Sequence, residues 1–315
     1  MLKLGADDRP IAIASLFVLV ILGLGSAYTL TTQGNLAFLN PGYLLQQLQV
    51  GAFLGIVAAG MMLVILLGHI DLSVPWTLAA AAMMATAVGG PMALPVGIGI
   101  GLAVGIFNGI GVAYLRVPSM IFTLGVNAML RGLMVMHTGG FAPQTHATEL
   151  MSFLATGHVL GVPMALIVWA LLSFGMVFML RRTVFGRYVY AIGNRERAAY
   201  LSGINTRLVL VVAFVICGGL AGLAGVLLAG YSTKAYQGMG DAYLLPAIAA
   251  VVIGGTNILG GQGRYAGTVV GTILIVLLSS VLSVMQMPEA GRQVIYGVVI
   301  IAMLLVYGRG RKVLG

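Results

Sequence analysis

The chain has 315 residues, of which 60% are hydrophobic and only 7% are charged. A soluble domain carries about 25% charged residues, so this composition excludes both an ordinary soluble domain and a disordered chain. The single cysteine, Cys217, excludes a disulfide framework and a cysteine-rich metal site, and the composition predicts an all-α, polytopic membrane protein.

Ten apolar segments follow one another along the chain. A hydrocarbon core ~30 Å thick is crossed by about 20 apolar helical residues. The third and eighth segments are short and contain Pro75 and Pro246, which favours broken or re-entrant helices. We therefore expect a single transmembrane domain over residues 1–315, a bundle of about ten helices (eight to ten), from the segments 11–30, 48–68, 74–89, 92–115, 118–137, 162–180, 208–231, 243–259, 266–286 and 293–308.

The formal net charge of +9 follows the predicted topology. With the N-terminus in the cytoplasm, thirteen of the sixteen Lys and Arg residues fall in inner segments. Only Lys234 and Arg292 fall in outer loops, and Arg131 lies within the fifth segment. Because basic residues accumulate on the cytoplasmic side, both termini are predicted inside. The charge therefore gives no reason to expect nucleic acid as a partner.

Glycines recur every four residues in several segments. Residues four apart share one helix face, and small side chains on that face let two helices approach closely in lipid. The spacing predicts tight helix packing at Gly97, Gly101, Gly105, Gly109, Gly218, Gly222, Gly267 and Gly271.

The stretch LLGHIDLSVPW follows the second segment and contains Asp71 and Ser73. An acidic residue at membrane depth is costly and usually faces protein or water. Two interpretations remain open: capping of the helix that begins near Pro75, through both side chains, or a place in the gate or pathway.

Four other polar residues lie inside the apolar segments: Asn108, Thr123, Asn127 and Arg131. The last three are spaced by four and so share one helix face. A water-lined pathway and an interhelical hydrogen-bond seam both explain this row. Coupled carriers usually place ionisable groups near the bilayer midplane, and this chain has almost none.

Residues 181–207 form the long loop predicted to lie in the cytoplasm. A short helix is expected there, beginning at Gly193-Asn194 and ending at Gly203. Such a helix suits a groove on a partner protein or the surface of lipid headgroups. No phosphate-binding loop of the G-x-x-x-x-G-K-[ST] type occurs in the sequence, so ATP would have to bind another chain.

Four stretches, in order, resemble permeases of ATP-binding-cassette (ABC) importers for monosaccharides of the ribose, xylose, arabinose and galactose group, which also resemble permeases for branched-chain amino acids. They are GHIDLSV, VAYLRVPSMIFTLG, GRYVYAIGNRERAAYLSGIN and PAIAAVVIGGTNILGGQGRYAGTVVG. The resemblance implies a permease subunit of a bacterial inner-membrane importer. Its implied partners are a second permease subunit, a periplasmic sugar-binding protein and ATPase subunits that bind ATP and Mg²⁺. It implies no enzyme activity and no cofactor for this chain.

The resemblance also implies roles for individual residues. The ATPase-coupling loop would include Gly186, Asn194, Glu196, Ala198, Leu201, Gly203 and Ile204. The glycines at 254–255 and 260–261 would form a tight turn at the inner face. His69 replaces a glycine that the family usually has, and Pro75-Trp76 replaces its usual Gly-Ser.

Five charges predicted at the outer face are candidates for docking the binding protein: Glu149, Lys234, Asp241, Glu289 and Arg292. Permeases for a polyol or an amino acid, a self-powered secondary carrier and a membrane-embedded enzyme are the competing interpretations. The carrier would accumulate solute without an ATPase. The enzyme would need clustered catalytic side chains, which the sequence scatters.

Overall fold

A computed structural model describes residues 9–141, 143 and 145–309. Lys3, Arg311 and Lys312, which count toward the predicted inner charge, lie outside the described residues. Thirteen α-helices occur in the described part of the chain: α1 Arg9–Gln33, α2 Pro41–Leu66, α3 Val74–Val88, α4 Ala93–Ala113, α5 Ser119–Thr138, α6 Glu149–Thr156, α7 Met164–Arg182, α8 Val184–Asn194, α9 Glu196–Leu201, α10 Thr206–Ser232, α11 Leu244–Ile253, α12 Tyr265–Val284 and α13 Glu289–Arg309.

Each of the ten predicted segments contains a helix. Within the described residues, seven helices are long and apolar enough to cross a membrane: α1, α2, α4, α5, α7, α10 and α12. The two segments predicted to be short or broken correspond to α3, with 15 residues, and α11, with 10 residues. The polytopic helical fold is therefore confirmed.

Helix α2 lies at the centre of the bundle. It begins at Pro41, seven residues before the predicted start, because the side chain of Asn40 accepts hydrogen bonds from Gly42 N and Tyr43 N. Every residue from Gly51 to Leu66 is buried. A helix that is apolar on all sides is expected in such a position.

Glycines bring α4 and α10 into contact, as their spacing predicts. A methyl group added at Gly101 would overlap the carbonyl oxygen of Gly218, and one added at Gly105 would overlap that of Phe214. The same close approach joins α11 to α12 at Gly254 and Gly267. These contacts hold α4 against α10 and the end of α11 against α12.

The connection between α5 and α7 contains secondary structure of its own. It contains α6, whose first turn is capped by Thr148. A hairpin of two short antiparallel strands follows, β1 (His158–Val159) and β2 (Val162–Pro163). The hairpin leads directly into α7.

Candidate functional site

The connection between α2 and α3, residues 67–73, contains Asp71, whose side chain is 1% exposed. Asp71 Oδ1 accepts hydrogen bonds from the backbone N–H of Ser73 at 2.9 Å and from its hydroxyl at 2.6 Å. Asn108 Nδ2 on α4 donates to both carboxylate oxygens at 3.3 Å and to Ser73 Oγ at 2.7 Å. A buried carboxylate is tolerated where hydrogen bonds satisfy it. The network therefore fixes this connection to α4.

Half of the capping interpretation is wrong. Ser73 is the N-cap residue of α3, and Pro75 lies in the first turn as predicted, but the Ser73 side chain makes no capping hydrogen bond. Its hydroxyl donates to Asp71 instead. Asp71 does accept a backbone N–H at this helix start, that of Ser73.

Side chains of α5 satisfy further backbone groups of the same connection. Ser119 Oγ accepts a hydrogen bond from Ile70 N at 3.4 Å, and Thr123 Oγ1 accepts one from Leu72 N at 2.9 Å. Ser119 precedes Thr123 by four residues, so it extends the predicted polar row by one turn. Ser119 was not predicted as part of this row, because serine at a helix start is usually a cap.

The row continues along α5 toward its far end. Asn127 Oδ1 accepts a hydrogen bond from Trp76 N at 3.3 Å. The Arg131 guanidinium lies 6.0 Å from the centre of the Trp76 ring and interacts electrostatically with Asp241. These contacts are those of the interhelical seam, one of the two interpretations that the sequence left open.

The predicted cytoplasmic loop contains two helices, not one. Gly193 and Asn194 end α8 and do not begin the second helix, which starts at Glu196. That prediction of the helix start was wrong, because α8 extends through residues that also suit a helix start. The predicted stop is confirmed: Gly203 follows α9 in the left-handed conformation, with φ of +84°.

Helix α9 exposes apolar side chains. Leu201 is 84% exposed and Tyr200 is 69% exposed, while Ala199 is buried against the bundle. Glu196 and Ala198 are exposed, and Ile204 is half-buried against the core. An exposed leucine and tyrosine side by side on a short helix suit a protein partner.

Helix α8 packs on the last residue of α2 and on the glycine-rich stretch before α12. A methyl group at Gly193 would overlap the carbonyl oxygen of Leu66, and Gly261 N donates to that same oxygen at 2.9 Å. Tyr190 Oη donates to the carbonyl of Gly263 at 2.9 Å. The predicted glycine turn is confirmed, with positive φ at Gly255, Gly260, Gly261 and Gly263.

His69 lies within the connection between α2 and α3, near Glu196 at the start of α9. Burial lowers its pKa below the ordinary histidine value, and the nearby Glu196 carboxylate opposes this shift. Glu196 also accepts a hydrogen bond from the Thr206 hydroxyl at 3.3 Å. The two motif residues are over a hundred positions apart in sequence, and no sequence signal indicated that they are neighbours.

The remaining predicted coupling residues occupy α8 and its end. Gly186 N donates to Thr183 Oγ1 at 3.2 Å, and a methyl group there would overlap the Leu180 carbonyl. Asn194 is exposed, and its side chain lies beside Gly261. Glycine at 186 is therefore required by packing.

The predicted outer charges lie in three parts of the chain: the start of α6, the connection between α10 and α11, and the first turn of α13. Glu149 begins α6, Lys234 pairs with His146 in an isolated β-bridge, and Asp241 begins a 3₁₀ turn. Glu289 Oε2 and Arg292 Nη2 form an ion pair at 2.8 Å.

Comparison with known proteins identifies similar chains. The model of the family "Branched-chain amino acid transport system / permease component" matches residues 43–304. The ribose import permease protein of Escherichia coli K12 is 36% identical over 271 residues, 84% of each chain. That of Bacillus subtilis 168 is 37% identical over 277 residues, 86% of each chain.

A relative with another named substrate also matches. The autoinducer 2 import system permease protein of Salmonella paratyphi B is 32% identical over 263 residues, 81% of this chain and 75% of the relative. No solved structure matches this chain.

Proposed function

This chain belongs to the family of branched-chain amino acid transport system permease components, and we propose that it is the membrane subunit of a bacterial ABC importer for a monosaccharide. It is a multi-pass inner-membrane protein. In this proposal separate ATPase subunits bind ATP and Mg²⁺, a periplasmic binding protein delivers the sugar, and a second permease subunit completes the pore. The chain itself catalyses no reaction.

The observation that supports coupling to an ATPase is the exposed pair Tyr200 and Leu201 on α9. Large apolar side chains at the centre of an interface contribute most of its binding energy. The helix lies in the one long loop that the charge pattern places in the cytoplasm. It therefore has the position and the chemistry of an ATPase contact.

A physical route connects α9 to the buried network. Helix α8 packs on Leu66 and Gly261, and Leu66 ends the helix that leads into the Asp71 connection. An ATPase that binds one conformation of α8 and α9 more tightly than the other would shift the whole bundle toward that conformation. ATP binding would thus drive the exchange between outward-open and inward-open states.

A sugar is the favoured substrate because the relatives described above include ribose import permeases of Escherichia coli and Bacillus subtilis. The relative named for autoinducer 2 import shows that permeases similar to this chain are not all named for ribose. Selectivity is expected to reside chiefly in the binding protein.

The test reconstitutes the chain with its ATPase and binding protein and compares Leu201→Glu with Leu160→Glu. Leu160 is 99% exposed on the hairpin predicted to face outward, so it is a matched control. Leu201→Glu should reduce sugar-stimulated ATP hydrolysis at least tenfold, since losing an interface anchor costs about 2 kcal/mol or more. Leu160→Glu should retain it. Sugar-stimulated ATP hydrolysis at the wild-type rate in Leu201→Glu would refute the assignment of α9 as the ATPase contact.

Uptake by the chain alone separates the importer from a secondary carrier. Vesicles containing only this chain and an ion gradient should accumulate no sugar. Accumulation without any ATPase would refute the importer.

A further inference from the structure

A cavity of about 510 Å³ lies away from both the Asp71 network and α9. It is bordered by the first residues of α2, α11 and α13 and the last residues of α12. The charge pattern places these helix ends at the outer face. The volume falls within the ~300–1,000 Å³ range of small-molecule sites.

Arg292 is the main polar group of this cavity. Its Nη1 donates to Ser283 Oγ at 2.8 Å and to Ser279 Oγ at 3.3 Å, and its Nη2 pairs with Glu289 at 2.8 Å. Its Nε is buried and has no partner among the described residues. A buried donor without an acceptor costs about 1–3 kcal/mol. The free N–H therefore indicates a place for a ligand oxygen.

The other walls combine hydroxyl groups with apolar surface. Tyr43 and Ser280 share a hydrogen bond of 2.6 Å between their hydroxyls. Tyr296 and Val276 add aromatic and aliphatic area. A ring with hydroxyl groups on its edge and C–H groups on its faces would satisfy both kinds of surface.

The charges in the cavity favour a neutral ligand. Glu289 and Arg292 are the two oppositely charged residues among those that line it, so they contribute no net charge. Together they offer both a hydrogen-bond acceptor and a donor, which suits vicinal hydroxyls. An anion would gain from Arg292 but would be repelled by Glu289.

We propose that this cavity is a binding site for one monosaccharide within a single subunit, entered from the outer face. The proposal rests on the importer function and adds a substrate site to it. The ion pair, Ser279 and Ser280 would bind the hydroxyls, the tyrosines would contact the ring, and Ser283 would lie at the exposed edge of the cavity.

Cysteine labelling tests the site directly. Ser283 is exposed at the cavity, whereas the native Cys217 is buried. In the full chain in nanodiscs, maleimide should label Ser283→Cys. D-ribose, D-xylose or D-galactose at saturating concentration should slow that labelling at least threefold. The control Thr156→Cys, exposed on α6, should label at the same rate with or without sugar.

Arg292→Gln tests the contact that defines the site. Loss of the charged donor should weaken binding of the protecting sugar about tenfold or more, measured by ligand-observed NMR. Arg292→Lys should recover only part, because lysine lacks the planar fork. Arg181→Gln, an exposed arginine in the last turn of α7, is the control and should bind like the wild type.

Two results would overturn the proposal. The first is no protection of Ser283→Cys by any of the three sugars. The second is a phospholipid that co-purifies with the wild type and is lost in Arg292→Gln, with no sugar bound, which would make the cavity a lipid headgroup site. ATP-dependent uptake by the reconstituted importer is measured separately. ATP-dependent uptake without sugar binding in the cavity would refute the sugar site but not the importer function. Absence of uptake would refute the importer function.

Discussion

The side-chain amide of Asn108 lies against the carboxylate of Asp71, with Nδ2 at 3.3 Å from each carboxylate oxygen. This contact joins two predicted polar positions that are 37 residues apart in the chain. It also joins α4, which packs tightly on α10, to the connection that follows the central helix. The buried acid therefore serves to fix the break between α2 and α3.

Asn108→Ala should destabilise the fold by about 1–2 kcal/mol, the upper range for interhelical hydrogen bonds in membranes, because it leaves Asp71 and Ser73 without their shared donor. SDS-induced unfolding in mixed micelles would measure this loss. The matched control is Thr86→Ala, a buried residue whose hydroxyl bonds only carbonyls of its own helix, Ala82 and Met83. Equal losses in both variants would contradict the structural role of the Asn108 contact.

Gly101→Ala should destabilise the fold more strongly than Asn108→Ala. The added methyl would overlap the Gly218 carbonyl, so α4 and α10 would have to separate along their whole contact. Overpacking of this kind typically costs about 1–3 kcal/mol. Gly99→Ala, two residues away with no atom within 4 Å of its methyl, should be neutral or slightly stabilising. The same unfolding assay ranks the two variants, and a harmless Gly101→Ala would refute the close contact.

The sequence predicted well those features that depend on local pattern. Apolar length located the helices, and the four-residue spacing of Gly97 to Gly109 located a close helix contact, because both patterns are set by helix geometry and lipid. The polar row on α5 was likewise found from its spacing. The groups that Thr123 and Asn127 bind were not predicted, because they are backbone N–H groups of the connection after α2 and of the first turn of α3.

Features that depend on tertiary contacts were missed or misassigned. Ser73 was expected to cap α3, but its hydroxyl donates to Asp71 and accepts a hydrogen bond from Asn108 of another helix. His69 and Glu196 are close to each other only because α9 packs back onto the bundle, which no local sequence pattern predicts. The outer cavity around Arg292 combines four helix ends that no local spacing relates.

His69 should make stability depend on pH. Burial lowers its folded pKa, so the folded protein favours neutral histidine. The unfolded chain, with a histidine pKa near 6.5, binds more protons as the pH falls below that value. The stabilising contribution is therefore present above about pH 6.5 and is lost as the pH falls. Thermal unfolding, followed by labelling of the buried Cys217, should show a lower Tm at pH 5.5 than at pH 7.5.

Two variants separate His69 from other acid effects. His69→Gln should have a smaller fall in Tm between pH 7.5 and pH 5.5 than the wild type. Glu196→Gln should enlarge the fall, because removing the carboxylate removes the one charge that raises the His69 pKa. An identical fall in the wild type and His69→Gln would show that another group governs the acid response.

Gly203 ends α9 with a Schellman motif, in which Gly203 N donates to Tyr200 O and Ile204 N donates to Ala199 O. Its φ of +84° costs a β-branched residue about 1–2 kcal/mol, although nothing lies within 4 Å of an added methyl. Gly203→Val should therefore change the direction in which α9 ends without creating a clash in the bundle. We expect normal membrane insertion and normal docking of the binding protein, but loss of most sugar-stimulated ATP hydrolysis.

Gly203→Asn is the matched variant, because asparagine tolerates the left-handed conformation better than other side chains. It should retain most of the stimulated hydrolysis, whereas Gly203→Val should lose it, and both should be present in the membrane at wild-type amounts. Stimulated ATPase activity of the reconstituted importer measures the difference. If both variants lose activity equally, side-chain bulk at the ATPase contact is responsible and not the backbone conformation. If both retain it, the geometry at the end of α9 has no part in coupling.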